Sequence, residues 1–145
     1  MKAVIQRVKK GTVSVEGNCV GAIDKGIVAL IALEPHDNES NMRKLVEKIL
    51  KYRIFSDEND HMNLSLKDIQ GGLLLISQFT LAANTNSGLR PSFDTAMKPS
   101  EAQELFSKLV SYTKQLWPQV QCGEFGADMQ VELINDGPVT FILTA

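Results

Sequence analysis

Leu73-Leu74-Leu75-Ile76-Ser77-Gln78-Phe79-Thr80-Leu81 decides how this chain folds. Four consecutive apolar residues follow the Gly71-Gly72 step, and so short a run, apolar on every residue, reads as a strand covered on both faces. The segment then turns polar. Side chains alternate along a strand, so Ser77 and Phe79 are expected to face one way and Gln78 and Thr80 the other until the strand ends. A strand terminus is a good place for a site, because a rigid element there aims groups into a loop-lined cleft. It is also where any buried strand becomes polar as it leaves the core, and the segment alone supports both readings.

Ile27-Val28-Ala29-Leu30-Ile31-Ala32-Leu33 repeats the buried-strand pattern. A sheet holding two such strands needs apolar cover. Met42, Leu45, Val46, Ile49 and Leu50 form one stripe of an amphipathic helix, with Asp37 or Asn38 as its N-cap. Ala102, Leu105, Phe106, Leu109, Tyr112 and Leu116 form another, opened by Pro99 or Ser100 and stopped by Pro118. Further strands are expected at Val4 to Val8 and Thr12 to Glu16, joined by Lys9-Lys10-Gly11, and at Cys19 to Ile23. Met129 to Leu133 alternates, Asn135-Asp136-Gly137 reads as a hairpin turn, and Val139 to Leu143 as the returning strand. Ser56 to Met62 reads as a polar loop. Residues 82–98 lack periodicity and read as a long ordered loop, a feature often tied to function in compact domains. The order of strands, helix, strand, helix, strands predicts an α/β fold: one sheet-based domain over residues 1–145 with two covering helices.

Composition narrows the function. The 145 residues are 43% hydrophobic and 22% charged, the balance of a globular protein with a sizeable core. The longest apolar run, Ile27 to Leu33, is far short of a membrane span. Met1-Lys2-Ala3-Val4-Ile5 enters a strand pattern at once, leaving no room for a cleavable signal, so a cytoplasmic protein is expected. Cys19 and Cys122 are then expected as free thiols. A net charge of -2 argues against indiscriminate nucleic-acid binding, which needs many cations, but allows a site for one end of an RNA.

Protein-borne acid–base machinery is hard to find. Nothing beside Ser77 or Thr80 looks like an activating base, and an unactivated hydroxyl is a poor nucleophile at neutral pH. His36 and His61, the two histidines, lie in polar loops. No His, Cys and carboxylate cluster has metal-ligand spacing, and no glycine-rich phosphate loop joins a strand to a helix.

Four motifs carry a resemblance: Ser77-Gln78-Phe79-Thr80-Leu81, Asn135-Asp136-Gly137-Pro138-Val139-Thr140, Gly88-Leu89-Arg90-Pro91-Ser92-Phe93 and Gly123-Glu124-Phe125-Gly126-Ala127-Asp128-Met129. Together they resemble the signatures of the bacterial-type D-aminoacyl-tRNA deacylases, which remove wrongly attached D-amino acids from tRNA, and no segment is foreign to that family. The resemblance implies a mixed, barrel-like β-sheet domain in three layers with two covering helices. It also implies a homodimer with the active site at the interface, the acceptor end of D-aminoacyl-tRNA as partner, and no cofactor, metal, DNA or membrane. Leu89, and Glu34-Pro35-His36 after the third strand, are slight departures outside the chemistry.

The resemblance also implies roles. The terminal ribose has a vicinal hydroxyl that can assist attack on the ester, leaving the protein to orient it. Positioning of this kind is worth ~7–11 kcal/mol and each oxyanion donor ~3 kcal/mol. The catalytic set would be Ser77, Gln78, Phe79 and Thr80, with backbone amides at Phe79 and Thr80; the alternative makes Thr80 a covalent nucleophile. Gly137 and Pro138, joined by a cis peptide, would reject L-amino acids across the subunit boundary, braced by Arg7, whose rigid fork suits the task. Glycine, lacking a side chain, would be accepted, so mischarged glycyl-tRNA(Ala) would be a second substrate. Phe125 and Met129 would line an adenosine pocket or simply pack in the core, and Arg90 and Phe93 would help close the site. Lys44, Lys48 and Lys51, near Arg43 and Arg53, are either an RNA contact or a solvated helix face. Two other classes stay open: a module that sequesters aminoacyl-tRNA without hydrolysis, and a purely structural dimerisation domain.

Overall fold

The computed structural model describes residues 1–145. Strands β1 (Lys2–Val15), β2 (Asn18–Ile23) and β3 (Gly26–Ala32) are antiparallel, with β1 pairing β3 through its first half and β2 through its second. After helix α1 (Glu39–Lys51) come a small hairpin of β4 (Phe55–Ser56) and β5 (Met62–Leu64) and the single-turn α2 (Leu66–Ile69). Strand β6 (Gly72–Ser77) joins β3 in parallel, from Gly26 opposite Gly72 to Ile31 opposite Ser77. Helix α3 (Pro99–Leu116) crosses over to β7 (Val120–Cys122), parallel to β6, and β8 (Met129–Thr144) runs antiparallel along the whole of β1.

The mixed sheet is nearly closed into a barrel. At its seam β2 lies against β6 and β7: a Cβ on Gly21 would sit 3.1 Å from the Cys122 carbonyl, and one on Gly72 2.9 Å from Ile23. Strand alternation divides the core in two. Leu73 and Leu75 of β6, with Ile27, Ala29 and Ile31 of β3, join the larger cluster beneath α1 and α3. Leu74 and Ile76 turn the other way, against Val8, Val13, Ile23 and Val28 in the barrel interior. Both strands are therefore covered on both faces, as their unbroken apolar runs predict.

The two long helices match their stripes. Asn38 caps α1, accepting from the amides of Ser40 at 2.9 Å and Asn41 at 3.2 Å, while Asn41 returns a bond to the Asn38 amide. Met42, Leu45, Val46, Ile49 and Leu50 are all buried, each contributing about 1.5–3 kcal/mol. In α3, Ala102, Leu105, Phe106 and Leu109 are buried, whereas Tyr112 and Leu116 are only half-buried.

Two expected turns are instead continuous strand. Lys9-Lys10-Gly11 does not separate two strands; it runs inside β1. Gly11 is there for close approach, since a Cβ would lie 2.8 Å from Val28 Cγ2. Nor does Asn135-Asp136-Gly137 reverse the chain: β8 continues through it, with both halves on β1. The ladder sets Gln6 opposite Thr140 and Val8 opposite Asn135, so the four residues from Asp136 to Val139 stand against Arg7 alone. That is an enlarged β-bulge, which bends a strand without ending it. The expected loop at Ser56 to Met62 is the connection of the β4–β5 hairpin.

Candidate active site

The Gln78 amide donates to the Ile31 carbonyl at 2.8 Å, prolonging the β3–β6 ladder past Ser77. Gln78 then turns the backbone (φ -142, ψ 75) into a 3₁₀ turn over Phe79–Ala82, where the Leu81 amide donates to the Gln78 carbonyl at 3.2 Å. The amides of Phe79 and Thr80 lead this turn, and leading amides have no carbonyl within it to accept them. Gln78 Nε2 donates to Thr80 Oγ1 at 2.5 Å. That hydroxyl bonds to an amide and to no imidazole or carboxylate, so nothing here raises its nucleophilicity.

Phe79 is 61% exposed, costly for a phenyl ring, and its partial cover comes from the long loop. Phe93 packs against it with ring centroids 5.1 Å apart. The loop is tied down by paired backbone bonds between Asn84 and Ser92 (2.8 and 3.1 Å), by the Thr95 hydroxyl on the Ala82 carbonyl, and by the Met97 amide on the Leu33 carbonyl at 3.2 Å.

Next to this turn lies a cavity of about 340 Å³. Ser77 and Gln78 are the polar side chains on its wall; Phe79, Ile31, Leu33, Met97, Pro99, Ala102, Phe106, Phe125, Gly126 and Ala127 complete it. No ionisable residue lines it. Its size and apolar lining suit a flat organic group held by few polar contacts.

The other expected residues are distributed unevenly. Phe125 is on the cavity wall, its ring 5.9 Å from that of Phe106. Met129 is not; its Sδ sits where a Cβ on Gly123 would come within 2.6 Å, and it packs on the barrel-interior cluster. Arg90 is exposed and outside the cavity, beside the fully exposed Leu89. Met97, Ala102 and Phe106 are cavity residues that sequence reasoning did not assign to a site. The α3 pair was legible only as a core stripe, and Met97 lies in no periodic pattern.

Gly137, Pro138 and Arg7 do not line this cavity within one chain. The Gly137-Pro138 peptide is cis, and both residues are exposed. Arg7, 13% exposed at its side chain, donates from Nε to the Asp136 carbonyl at 3.0 Å and from Nη1 to the Ile54 carbonyl at 2.8 Å. Gly137 has φ +134, and a Cβ there would meet Val139 Cγ2 at 2.7 Å and Arg7 Nη2 at 3.1 Å. Only glycine fits.

Elsewhere, Lys44 and Lys48 are exposed without ion-pair partners, Lys51 stands 3.7 Å from Glu47, and Arg43 lies over the Tyr112 ring at 5.4 Å. Arg53 donates to Asn63 at 3.2 Å. His36 and His61 are exposed, no three His, Cys or carboxylate groups cluster, and Cys19 and Cys122 are free thiols. No helix is long and apolar enough to cross a membrane.

Comparison with known proteins places the chain in a family. The family model described as D-Tyr-tRNA(Tyr) deacylase matches residues 4–144. A D-aminoacyl-tRNA deacylase of Pseudomonas fluorescens is 57% identical over 143 residues, 99% of each chain, and one of Pseudomonas aeruginosa is 54% identical over the same share. Among solved structures, a c-Myc DNA unwinding element binding protein superposes with a TM-score of 0.96 at 36% identity, covering 100% of this chain and 99% of its own. A probable eukaryotic D-amino acid tRNA deacylase gives 0.88 at 14% identity, covering 99% and 98%, a likeness of fold alone. The chain belongs to the D-Tyr-tRNA(Tyr) deacylase family, and its bacterial relatives carry the name D-aminoacyl-tRNA deacylase, which denotes a hydrolase acting on an ester bond.

Proposed function

We propose that this chain hydrolyses the ester joining a D-amino acid to the terminal ribose of tRNA, releasing free tRNA and the free amino acid. The observation that carries the reading is a cavity without any ionisable side chain beside the leading amides of Phe79 and Thr80. Water adds to the ester carbonyl, and the amides donate to its oxygen as negative charge develops. The vicinal ribose hydroxyl assists the proton transfer that no side chain is placed to perform. Gln78 and Ser77 orient the ribose, Thr80 is held by Gln78 rather than activated, and the terminal adenine enters the cavity against Phe125. Arg90 and Phe93 close the rim, while Met129 supports Gly123 from behind.

In this reading the protein is a cytoplasmic homodimer, and the carbonyls of Gly137 and Pro138 from the partner subunit close each site. They leave no room for an L side chain, whereas a D side chain points elsewhere and glycine has none. Rejection then works by exclusion, and glycyl-tRNA(Ala) is a substrate too. The DNA element in the name of one structural relative belongs to that protein; a net charge of -2 offers no cation surplus for tracking duplex phosphates.

The test is ester loss from matched D-tyrosyl-tRNA and L-tyrosyl-tRNA with a chelator present. Loss of the D-ester alone is expected. Equal loss of both would leave an esterase without chiral rejection; loss of neither, with tRNA bound, would make the protein a sequestering module.

A further inference from the structure

The bulge in β8 raises a question that Arg7 answers only in part. Arg7 holds the Asp136 carbonyl, where the bulge begins. At its far end the chain must rejoin the ladder at Thr140 while Val139, 7% exposed, turns into the core. The Val139 amide thereby has no ladder partner opposite, because Arg7 already faces four residues, and in a buried residue an unpaired amide is costly. Asn135 supplies the missing acceptor: its Oδ1 takes the Val139 amide at 2.8 Å, and its Nδ2 donates to Thr140 Oγ1 at 3.0 Å. Thr140 Oγ1 also accepts from Gln6 Nε2 of β1 at 3.4 Å. One side chain thus closes the base of the loop that presents Gly137 and Pro138, which are exposed while Val139 is buried.

We infer that Asn135 is a positioning residue for chiral rejection, clamping the C-terminal end of the Gly137-Pro138 segment as Arg7 clamps its N-terminal end. The inference rests on the proposed role of that segment. A clamp at one end leaves the carbonyls free to swing about the other; clamps at both ends hold them against an L side chain.

The test combines selectivity with amide exchange. In the unaltered protein the Val139 amide is expected to exchange as slowly as that of Leu143. In Asn135→Ala it exchanges at least tenfold faster while Leu143 is unmoved, and the D-to-L rate ratio on tyrosyl-tRNA falls about tenfold through gained L-ester hydrolysis, the scale of one lost hydrogen bond. Asn135→Asp, which keeps an acceptor for Val139, retains the ratio. A parental ratio in Asn135→Ala while Arg7→Ala loses it overturns the inference and leaves the role of Gly137-Pro138 standing. Unaltered protein that hydrolyses both esters alike overturns both. Should the alanine variant fail to fold, a Val139 amide in the unaltered protein that exchanges like an open loop still overturns the clamp, and loss of the ratio in Asn135→Asp does the same.

Discussion

The end of β6 and the middle of β8 solve one problem in opposite ways. Each must bring backbone polar groups out of a sheet. At Ser77 to Thr80 the strand stops, and a 3₁₀ turn leaves two leading amides next to an apolar cavity. At Asn135 to Thr140 the strand does not stop; four residues bulge against one, and side chains from both sides of the ladder hold them. Termination supplies donors at little cost, because turn amides lack internal partners in any case. Interruption exposes a rigid segment in mid-strand and demands dedicated partners. The bulge should therefore be the more fragile region, and the turn the one whose side chains can be altered without loss of structure.

The largest expected effect is at Gly137. Gly137→Ala places a Cβ at φ +134 against Val139 and Arg7 and is expected to cost about 1–3 kcal/mol, measured by denaturant unfolding, with loss of L-ester rejection. Gly88→Ala sharpens the point: φ is +70, but nothing lies within 4 Å, so about 1 kcal/mol and unchanged selectivity are expected. Next is Arg7→Ala, which removes bonds to two carbonyls on separate segments. A loss of about 2 kcal/mol and a lower D-to-L ratio are expected, and Arg7→Lys should not restore the ratio, since an ammonium lacks the rigid fork.

Changes at the turn are expected to be milder in structure and confined to rate. Gln78→Ala should slow D-ester hydrolysis about tenfold with stability within about 0.5 kcal/mol and selectivity intact, read by single-turnover assay and thermal unfolding. Thr80→Val keeps the backbone amide and should cost no more than Gln78→Ala; a loss of about 10⁴-fold or more would instead mark Thr80 as a nucleophile.

The smallest effect concerns pH. Burial alone would raise the Glu34 carboxyl, but its hydrogen bond and attraction to the Met1 amine, then Lys2, outweigh that and lower it below its ordinary 4.5. The stability Glu34 contributes is thus complete above its ordinary value and is lost only as pH falls through the lowered folded one. Equilibrium unfolding should be insensitive to this group between pH 5 and 8. Over the same range the rate profile should lack the bell shape of a side-chain acid–base pair, because none lines the cavity.

How much was legible in the sequence follows the same division. The run from Leu73 to Ile76 and the stripes of α1 and α3 announced themselves, because burial on both faces or along one stripe leaves an unambiguous apolar period. The sheet-based α/β class followed from them. The polar interiors of β1 and β8 did not: Lys9-Lys10-Gly11 and Asn135-Asp136-Gly137 carry the residues of turns. They stay within strands because the residues flanking them pair across the ladder, Val8 with Asn135, Lys10 with Ile134 and Gln6 with Thr140, while Arg7 and Asn135 hold the bulge, and such pairing has no local signature. Three-residue β7 is too short to show a period. Around the cavity, Ser77 to Thr80 were visible as a polar strand end, whereas Met97 and Gly126 reach the wall through loop geometry that no spacing encodes.

A site that lacks a side-chain base and, as proposed, borrows a hydroxyl from its substrate should fail when that hydroxyl is missing. Single-turnover hydrolysis of D-tyrosyl-tRNA is therefore to be compared between tRNA ending in adenosine and tRNA ending in 2′-deoxyadenosine, with the ester on the 3′ oxygen and binding verified for both. The deoxy substrate is expected to bind and to lose at least about a hundredfold in rate, the lower end of what a positioned proton-transfer group contributes. Equal rates on the two substrates would mean that the protein itself handles the proton, and would contradict the reading of the cavity beside Phe79 and Thr80.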